Sequence, residues 1–177
     1  MFSIIIPTLN NINYLKLCIS SLKKNSKLKN EIIPHVNIGS DGTVDYLNRN
    51  NIEFTYTEYN AGICEGVNLA TKKAKFDYVL YAHDDFYFSP EWDLILEKEI
   101  KKIGHKEFYL SGTMMNNGQI KFNCGSSNEN FDENKFLREY KNYNYYDFQG
   151  STWAPHVLHI DTWNKVGGFS EEFYPGT

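Results

Sequence analysis

Apolar positions in this chain fall into two alternating spacings. Phe2-Ser3-Ile4-Ile5-Ile6 is a short, nearly continuous apolar run ending at Pro7, the pattern of a buried parallel strand stopped by proline. Asn10-Asn11 then offer caps for a helix carrying Leu15, Cys18, Ile19 and Leu22 at helical spacing. A second strand is predicted over 31–38, with Pro34 pushing it toward a sheet edge or a bulge. Gly39-Ser40-Asp41-Gly42 reads as a turn, 44–50 as a short helix, and 52–57, which alternates apolar and polar, as a third strand. Asn60-Ala61-Gly62 opens a helix on which Ile63, Val67, Ala70 and Ala74 share one face. A fourth strand over 76–82 delivers Asp84-Asp85, and a helix over 91–103 follows with Trp92, Leu96, Glu99 and Ile103 on one stripe. Alternation this regular predicts an α/β fold, an open and mostly parallel sheet with right-handed crossovers and flanking helices.

Beyond residue 107 the rhythm changes. Residues 108–113 read as a strand, and 118–124 as part of a hairpin turned at Asn117-Gly118. Residues 125–147 read as a loop with a short helix near 133–140, and 161–166 as a short helix entering Gly167-Gly168. The C-terminal half thus adds a small antiparallel element to one domain, and 177 residues suffice for a single sizeable core.

Composition narrows the function classes. With 41% apolar and 23% charged residues, the chain matches an ordinary soluble globular protein. The many Tyr and Phe suit a wet cleft, or follow a compositional habit in which Asn, Lys and Ile are also abundant. A net charge of −4, with only the short pairs Lys72-Lys73 and Lys101-Lys102, disfavours a nucleic-acid partner. An acidic protein that meets an anionic nucleotide needs a cation or helix N-termini at the contact. Cys18, Cys64 and Cys124 are odd in number and widely spaced, and they read as free thiols in a reducing compartment. The chain begins without a charged and apolar leader and has no run of membrane-spanning length. The expectation is a cytoplasmic protein, with peripheral membrane contact left open.

The chemistry concentrates after the fourth strand. Two adjacent carboxylates at a strand's carboxyl end repel each other and lose solvation, and a hard divalent cation relieves both costs. Mg²⁺ or Mn²⁺ takes one or two protein carboxylates and completes its shell with water and phosphate. The plainer alternative is an acidic loop ahead of a helix N-terminus. Ligands of open α/β sheets sit outside the carboxyl ends of strands, and Pro7-Thr8, Asn37, Asn60-Ala61-Gly62 and Asp84-Asp85 all fall at such ends.

Taken in order, these residues resemble glycosyltransferase family 2, with its GT-A fold. Ser3-Ile4-Ile5-Ile6-Pro7-Thr8-Leu9-Asn10 looks like the family's opening strand, and Gly39-Ser40-Asp41-Gly42-Thr43 like its second motif. Asn60-Ala61-Gly62 with Asn68, Ala74, Tyr78 and the Asp pair resembles its third stretch. Gly167-Gly168-Phe169-Ser170-Glu171-Glu172-Phe173 resembles its acceptor-side motif. The resemblance implies a nucleotide-sugar-binding half over about 1–105, drawing on Pro7, Thr8, Asn10, Asn37, Asn60, Gly62, Asn68 and Asp84. Asp85 would be the direct ligand of Mn²⁺ or Mg²⁺, with Asp84 on the ribose or on a metal-bound water.

Some positions depart from the family's pattern. Ala82 stands where many members carry a further acid. Asn37 stands where an Asp usually binds uracil, so a UDP-sugar is favoured with the nucleobase left open. Each residue also has a plain alternative: Asn37 as a turn residue, Asn60 as a helix cap, Asn68 as a polar helix face, and Gly167-Gly168 as a helix C-cap.

Residues of about 106–177 would form the acceptor side, for a glycan or lipid-linked acceptor, with Trp153, Gly167, Gly168 and Phe169 as its walls. In this family the general base follows the Gly-Gly-Phe motif, which places it beyond Thr177; within the chain the candidates are Glu171, Glu172 and Asp161. The implied activity is metal-dependent, inverting sugar transfer from a nucleotide diphosphate. The alternative is a non-catalytic sugar-nucleotide-binding domain that lacks the base. A dehalogenase-like phosphatase, hinted at by Ser40-Asp41-Gly42-Thr43-Val44, would need an Asp nucleophile where Gly39 stands.

Overall fold

The structure, a computed structural model, describes residues 1–116, 118, 120–143 and 153–175. Strands β1 (Phe2–Leu9), β2 (Glu31–Asn37), β3 (Thr55–Thr57) and β4 (Tyr78–Tyr81) alternate with helices α1 (Ile12–Asn25), α2 (Thr43–Arg49) and α3 (Gly62–Thr71). Helix α4 (Trp92–Ile103), β5 (Leu110–Ser111), α5 (Glu133–Glu139), β6 (His156–His159) and α6 (Ile160–Val166) complete the order. The six strands form one sheet in the order β3-β2-β1-β4-β6-β5. Strands β1 to β4 are parallel, while β6 runs antiparallel between β4 and β5.

The central strands β2, β1, β4 and β6 are buried on both faces, which explains their apolar runs. Ile4, Ile6, Leu80 and Val157 pack against Leu15, Ile19 and Leu22 of α1, Leu47 of α2, and Trp92, Leu96 and Ile100 of α4. Ile5, Ile33, Val79 and Leu158 face the other way, onto Val67 and Ala70 of α3 and Trp163 of α6. Adjacent residues of a strand point to opposite faces, so a single apolar run feeds two layers. The buried stripe of α4 is Trp92, Leu96 and Ile100 rather than the predicted Trp92, Leu96, Glu99 and Ile103, because it follows i, i+4, i+8. Ala74 lies beyond the end of α3 but still packs on its cluster.

The two prolines behave differently from prediction, for one shared reason. Pro7 does not stop β1, which continues to Leu9, and Pro34 sits inside β2 rather than at a sheet edge. β4 leaves β1 opposite Ile5, and β3 joins β2 only from His35. Each proline therefore stands where its strand has a neighbour on one side only, and the missing N–H is tolerated there.

In the C-terminal half, the predicted hairpin over 118–124 is not formed among the described residues. Met115 and Ile120 make an isolated bridge, and Asn117 lies outside those residues. The antiparallel element instead joins the main sheet through β6, which sequence spacing did not reveal because it is only four residues long, with two apolar residues between two His. Cys18, Cys64 and Cys124 are free thiols. Among the described residues no helix is long and apolar enough to cross a membrane.

Candidate active site at the carboxyl rim of the sheet

The two acids of the pair have different surroundings. Asp84 is partly buried and holds the rim together: Thr8 Oγ1 donates to its Oδ2 at 2.6 Å, and Asn11 Nδ2 donates to its Oδ1 at 3.0 Å. Burial raises its pKa, the two hydrogen bonds pull it back, and the neighbouring Asp85 pushes it up again. Asp85 is exposed, and no described residue binds its carboxylate. It lines a cavity of about 760 Å³ whose walls include Asn11, Tyr14, His83, Tyr87 and Met114. His83 is fixed beside the pair, with Nε2 2.8 Å from the Tyr81 hydroxyl and its ring stacked on Phe86 at 5.0 Å.

The raised pKa of Asp84 has a stability consequence. The folded state holds this proton more tightly than the unfolded chain does. Its contribution is therefore most favourable when protonated and is lost as the pH rises through the ordinary carboxylate range toward the raised value. In cation-free buffer, Asp84→Asn is expected to gain in Tm over the native protein as the pH goes from about 4 to about 7. A difference in Tm that does not change over that range would show that Asp84 is not perturbed.

The cavity wall is tied together by polar contacts. Tyr87 Oη donates to Glu133 of α5, and Lys24 of α1 pairs with the same carboxylate at 2.7 Å. Burial and the Glu133 contact push the Tyr87 phenol up to about 12. Asn25 Nδ2 donates to the Phe88 carbonyl at 2.7 Å, so the loop after the Asp pair is anchored to α1.

On the β1–β2–β3 side, the predicted nucleotide-facing groups are largely engaged with each other. Asn37 is buried; its Oδ1 accepts from Ala61 N at 2.7 Å and its Nδ2 donates to the Thr8 carbonyl at 3.3 Å. The side chain predicted to read a nucleobase thus bridges β1 to the start of α3, and an aspartate could not donate to Thr8 in this way. Gly62 N donates to Asn60 Oδ1 at 3.0 Å, and Ile63 N donates to the Pro175 carbonyl at 2.8 Å. Gly62 N and Ile63 N, the first two amides of α3, therefore have partners within the chain. Asn10 has a positive φ of 48° and accepts from Ser40 N at 2.9 Å.

Neither Asn10 nor Asn11 caps α1 with its side chain. Asp41 does that work instead: its Oδ2 accepts from Ile12 N at 2.8 Å and its Oδ1 from Thr43 Oγ1 at 2.7 Å. Burial opposes its charge, but the bonds from Thr43 and Ile12 hold the carboxyl below its usual range. The Asp-Gly-Thr turn was the available signal.

The acceptor-side residues are spread out. Gly167 is the left-handed C-cap of α6, the plain reading of that glycine. Phe169 packs edge-on to Tyr81 at 5.4 Å and against Trp163 at 5.2 Å, and Trp163 is core. Trp153 is exposed just ahead of β6, whose first residue pairs with the last residue of β4. The Asn68 amide binds Phe169 and Glu171. Asp161 is corrected by topology: β6 runs antiparallel, so the start of α6 lies at the amino end of β4, where Ile160 N meets the Asp77 carbonyl. Asp161 pairs there with Lys106 at 2.7 Å, at the end of the sheet opposite Asp85.

With this fold and rim in view, the class is that of a GT-A-like glycosyltransferase. The sequence profile described as glycosyl transferase family 2 matches residues 3–163, and the chain belongs to that family. Among solved structures it is similar to S. aureus TarS 1-349 in complex with UDP, at 18% identity, TM-score 0.69, 97% of this chain and 51% of that one. It is also similar to the mannosyltransferase PcManGT from Pyrobaculum calidifontis in complex with GDP-Man and Mn²⁺, at 18% identity, TM-score 0.60, 97% of this chain and 48% of that one. The chain spans about half the length of these two proteins. No curated protein matches it significantly.

Proposed function

We propose that this chain forms the donor-binding part of a metal-dependent, inverting glycosyltransferase that draws a sugar from a nucleotide diphosphate. The observation that carries the reading is the division of labour in the Asp pair: Asp84 is locked by Thr8 and Asn11, and Asp85 stands free at the cavity beside it. Residues 1–105 would hold the nucleotide sugar and the rest would build the acceptor side. TarS bound to UDP and a mannosyltransferase bound to GDP-Man support a nucleotide donor, with UDP and GDP both open as the nucleobase.

Among the described residues no trio of His, Cys, Asp and Glu converges. A cation here would be held by Asp85, with the rest of its shell left to substrate and water, a mode that Mg²⁺ and Mn²⁺ accept. When bound, such a cation supplies positive charge opposite the leaving diphosphate. The chain's own residues do the positioning. Thr8 and Asn11 fix Asp84 and with it the peptide that aims Asp85; Tyr81 fixes His83 next to them.

The acceptor, a glycan or lipid-linked hydroxyl, must lose a proton to a carboxylate as the anomeric carbon gains oxocarbenium character. Of the three carboxylates considered within the chain, Asp161 is at the wrong end of the sheet and Glu171 already accepts from Asn68, which leaves exposed Glu172. Free thiols are in keeping with a cytoplasmic setting.

A thermal-shift series tests the donor reading. UDP or GDP with Mn²⁺ is expected to raise Tm by about 5–10 °C at a hundredfold excess over Kd, and by clearly less with chelator present. No shift with either nucleotide would remove the proposed donor site.

A further inference from the structure

Helix α3 carries a second segment of the chain along its surface. The Asn68 amide makes three hydrogen bonds, all to residues about a hundred positions away. Its Oδ1 accepts from Phe169 N at 3.0 Å, and its Nδ2 donates to the Phe169 carbonyl at 2.9 Å and to Glu171 Oε1 at 2.9 Å. An amide that accepts from and donates to the same residue's backbone fixes both the position and the plane of that residue. The sequence makes room for it at Gly168, where φ is +80° and a Cβ would lie 2.6 Å from Asn68 Oδ1.

The other end of the segment is held in a similar way. The Pro175 carbonyl accepts from Ile63 N at 2.8 Å, and a Cβ on Gly62 would lie 2.7 Å from that same oxygen. Residues 168–175 therefore run back along α3 from Asn68 to its first turn, pinned at two points. At the first pin, the Phe169 ring rests on Tyr81, whose hydroxyl meets His83, the residue just before the Asp pair.

We infer that Asn68 is a positioning residue for the acceptor side: it straps residues 168–175 to α3 and so sets Phe169 and Glu171 relative to Asp84-Asp85, without contributing to donor affinity. The inference rests on the glycosyltransferase reading for the meaning of "acceptor side", while the strap itself stands on the contacts above. It also replaces the nucleotide-binding role expected of Asn68.

The test compares Asn68→Ala and Asn68→Asp in the full chain by amide hydrogen exchange and by calorimetry with UDP and Mn²⁺. In Asn68→Ala the amides of 168–175 are expected to exchange at least about tenfold faster, with the affinity for Mn²⁺–UDP within about twofold of native, since a lost hydrogen-bond clamp frees its own segment first. In Asn68→Asp the ionised carboxylate keeps the bond from Phe169 N, but it cannot donate and it repels Glu171. Protection, measured relative to Asn68→Ala at the same pH, should therefore return as the pH falls from about 7 to about 4.5, where the acid donates again. A role limited to filling space predicts no such pH dependence.

Unchanged exchange in Asn68→Ala would overturn the strap. A tenfold loss of Mn²⁺–UDP affinity would overturn its separation from the donor site. If the native protein binds neither UDP nor GDP with Mn²⁺, the donor reading fails, and the exchange measurement still decides the strap.

Discussion

Asp85→Ala is expected to erase the cation-dependent part of nucleotide-diphosphate binding while leaving the fold as it is. The side chain is exposed and binds no described residue, so its removal breaks no internal contact. Surface changes of this kind usually stay within about 0.5 kcal/mol. Binding is a different matter, because Asp85 is the one acid of the pair with its oxygens uncommitted. Without it, a cation bridging to the diphosphate loses its protein anchor, and a loss on the order of 10²-fold in the Mn²⁺-dependent affinity follows, about 2.7 kcal/mol. Calorimetry of UDP and GDP with Mn²⁺ and with chelator reads this directly. Equal binding by the native protein in both conditions, or full enhancement by Mn²⁺ in Asp85→Ala, would sink the metal assignment.

The largest stability effect is expected at Asp93, far from this chemistry. Asp93 is fully buried at the start of α4. Its carboxylate accepts from Lys27 N at 2.9 Å, Leu28 N at 2.7 Å and Asn30 Nδ2 at 2.9 Å. It therefore organises the whole turn between α1 and β2. Asn30 Oδ1 in turn accepts from Phe2 N at 2.9 Å, so the effect reaches the first residue of β1. Asp93→Ala leaves several buried donors without partners, at a cost of about 3–5 kcal/mol, which for a domain of this size lowers Tm by about 10 °C. Asp93→Asn, which keeps an acceptor, should lose less. Chemical denaturation that places Asp93→Ala within about 1 kcal/mol of native would show that water replaces the carboxylate there.

The four parallel strands and their helices were legible in the apolar periodicity: two-sided burial writes β1 and β4 as continuous apolar runs, while the partly exposed third strand shows as alternation. Pro7 and Pro34 misled for a reason no local pattern contains. Whether a proline ends a strand depends on whether a neighbour needs its N–H, and β4 and β3 happen not to reach them. β6 was illegible because two apolar residues between two His are too short a pattern to read as a strand until β4 and β5 lie on either side. In the site, the Asp pair stood out from the chain order of strand, acids and helix, while the roles of Asn37, Asn68 and Asp41 did not. Each is a short polar side chain that turns, caps and ligands use equally well.

By itself the sequence determined the order of strands and helices and the gathering of polar residues at one rim of the sheet, since spacing and chain order are local properties. Which of those residues stay open to a ligand was decided only in three dimensions. Thr8 reaches Asp84 across 76 positions, and Asn68 reaches Phe169 across 101. A polar group takes whatever partner the folded chain brings within about 3 Å, so its freedom to bind anything else is a property of the tertiary structure.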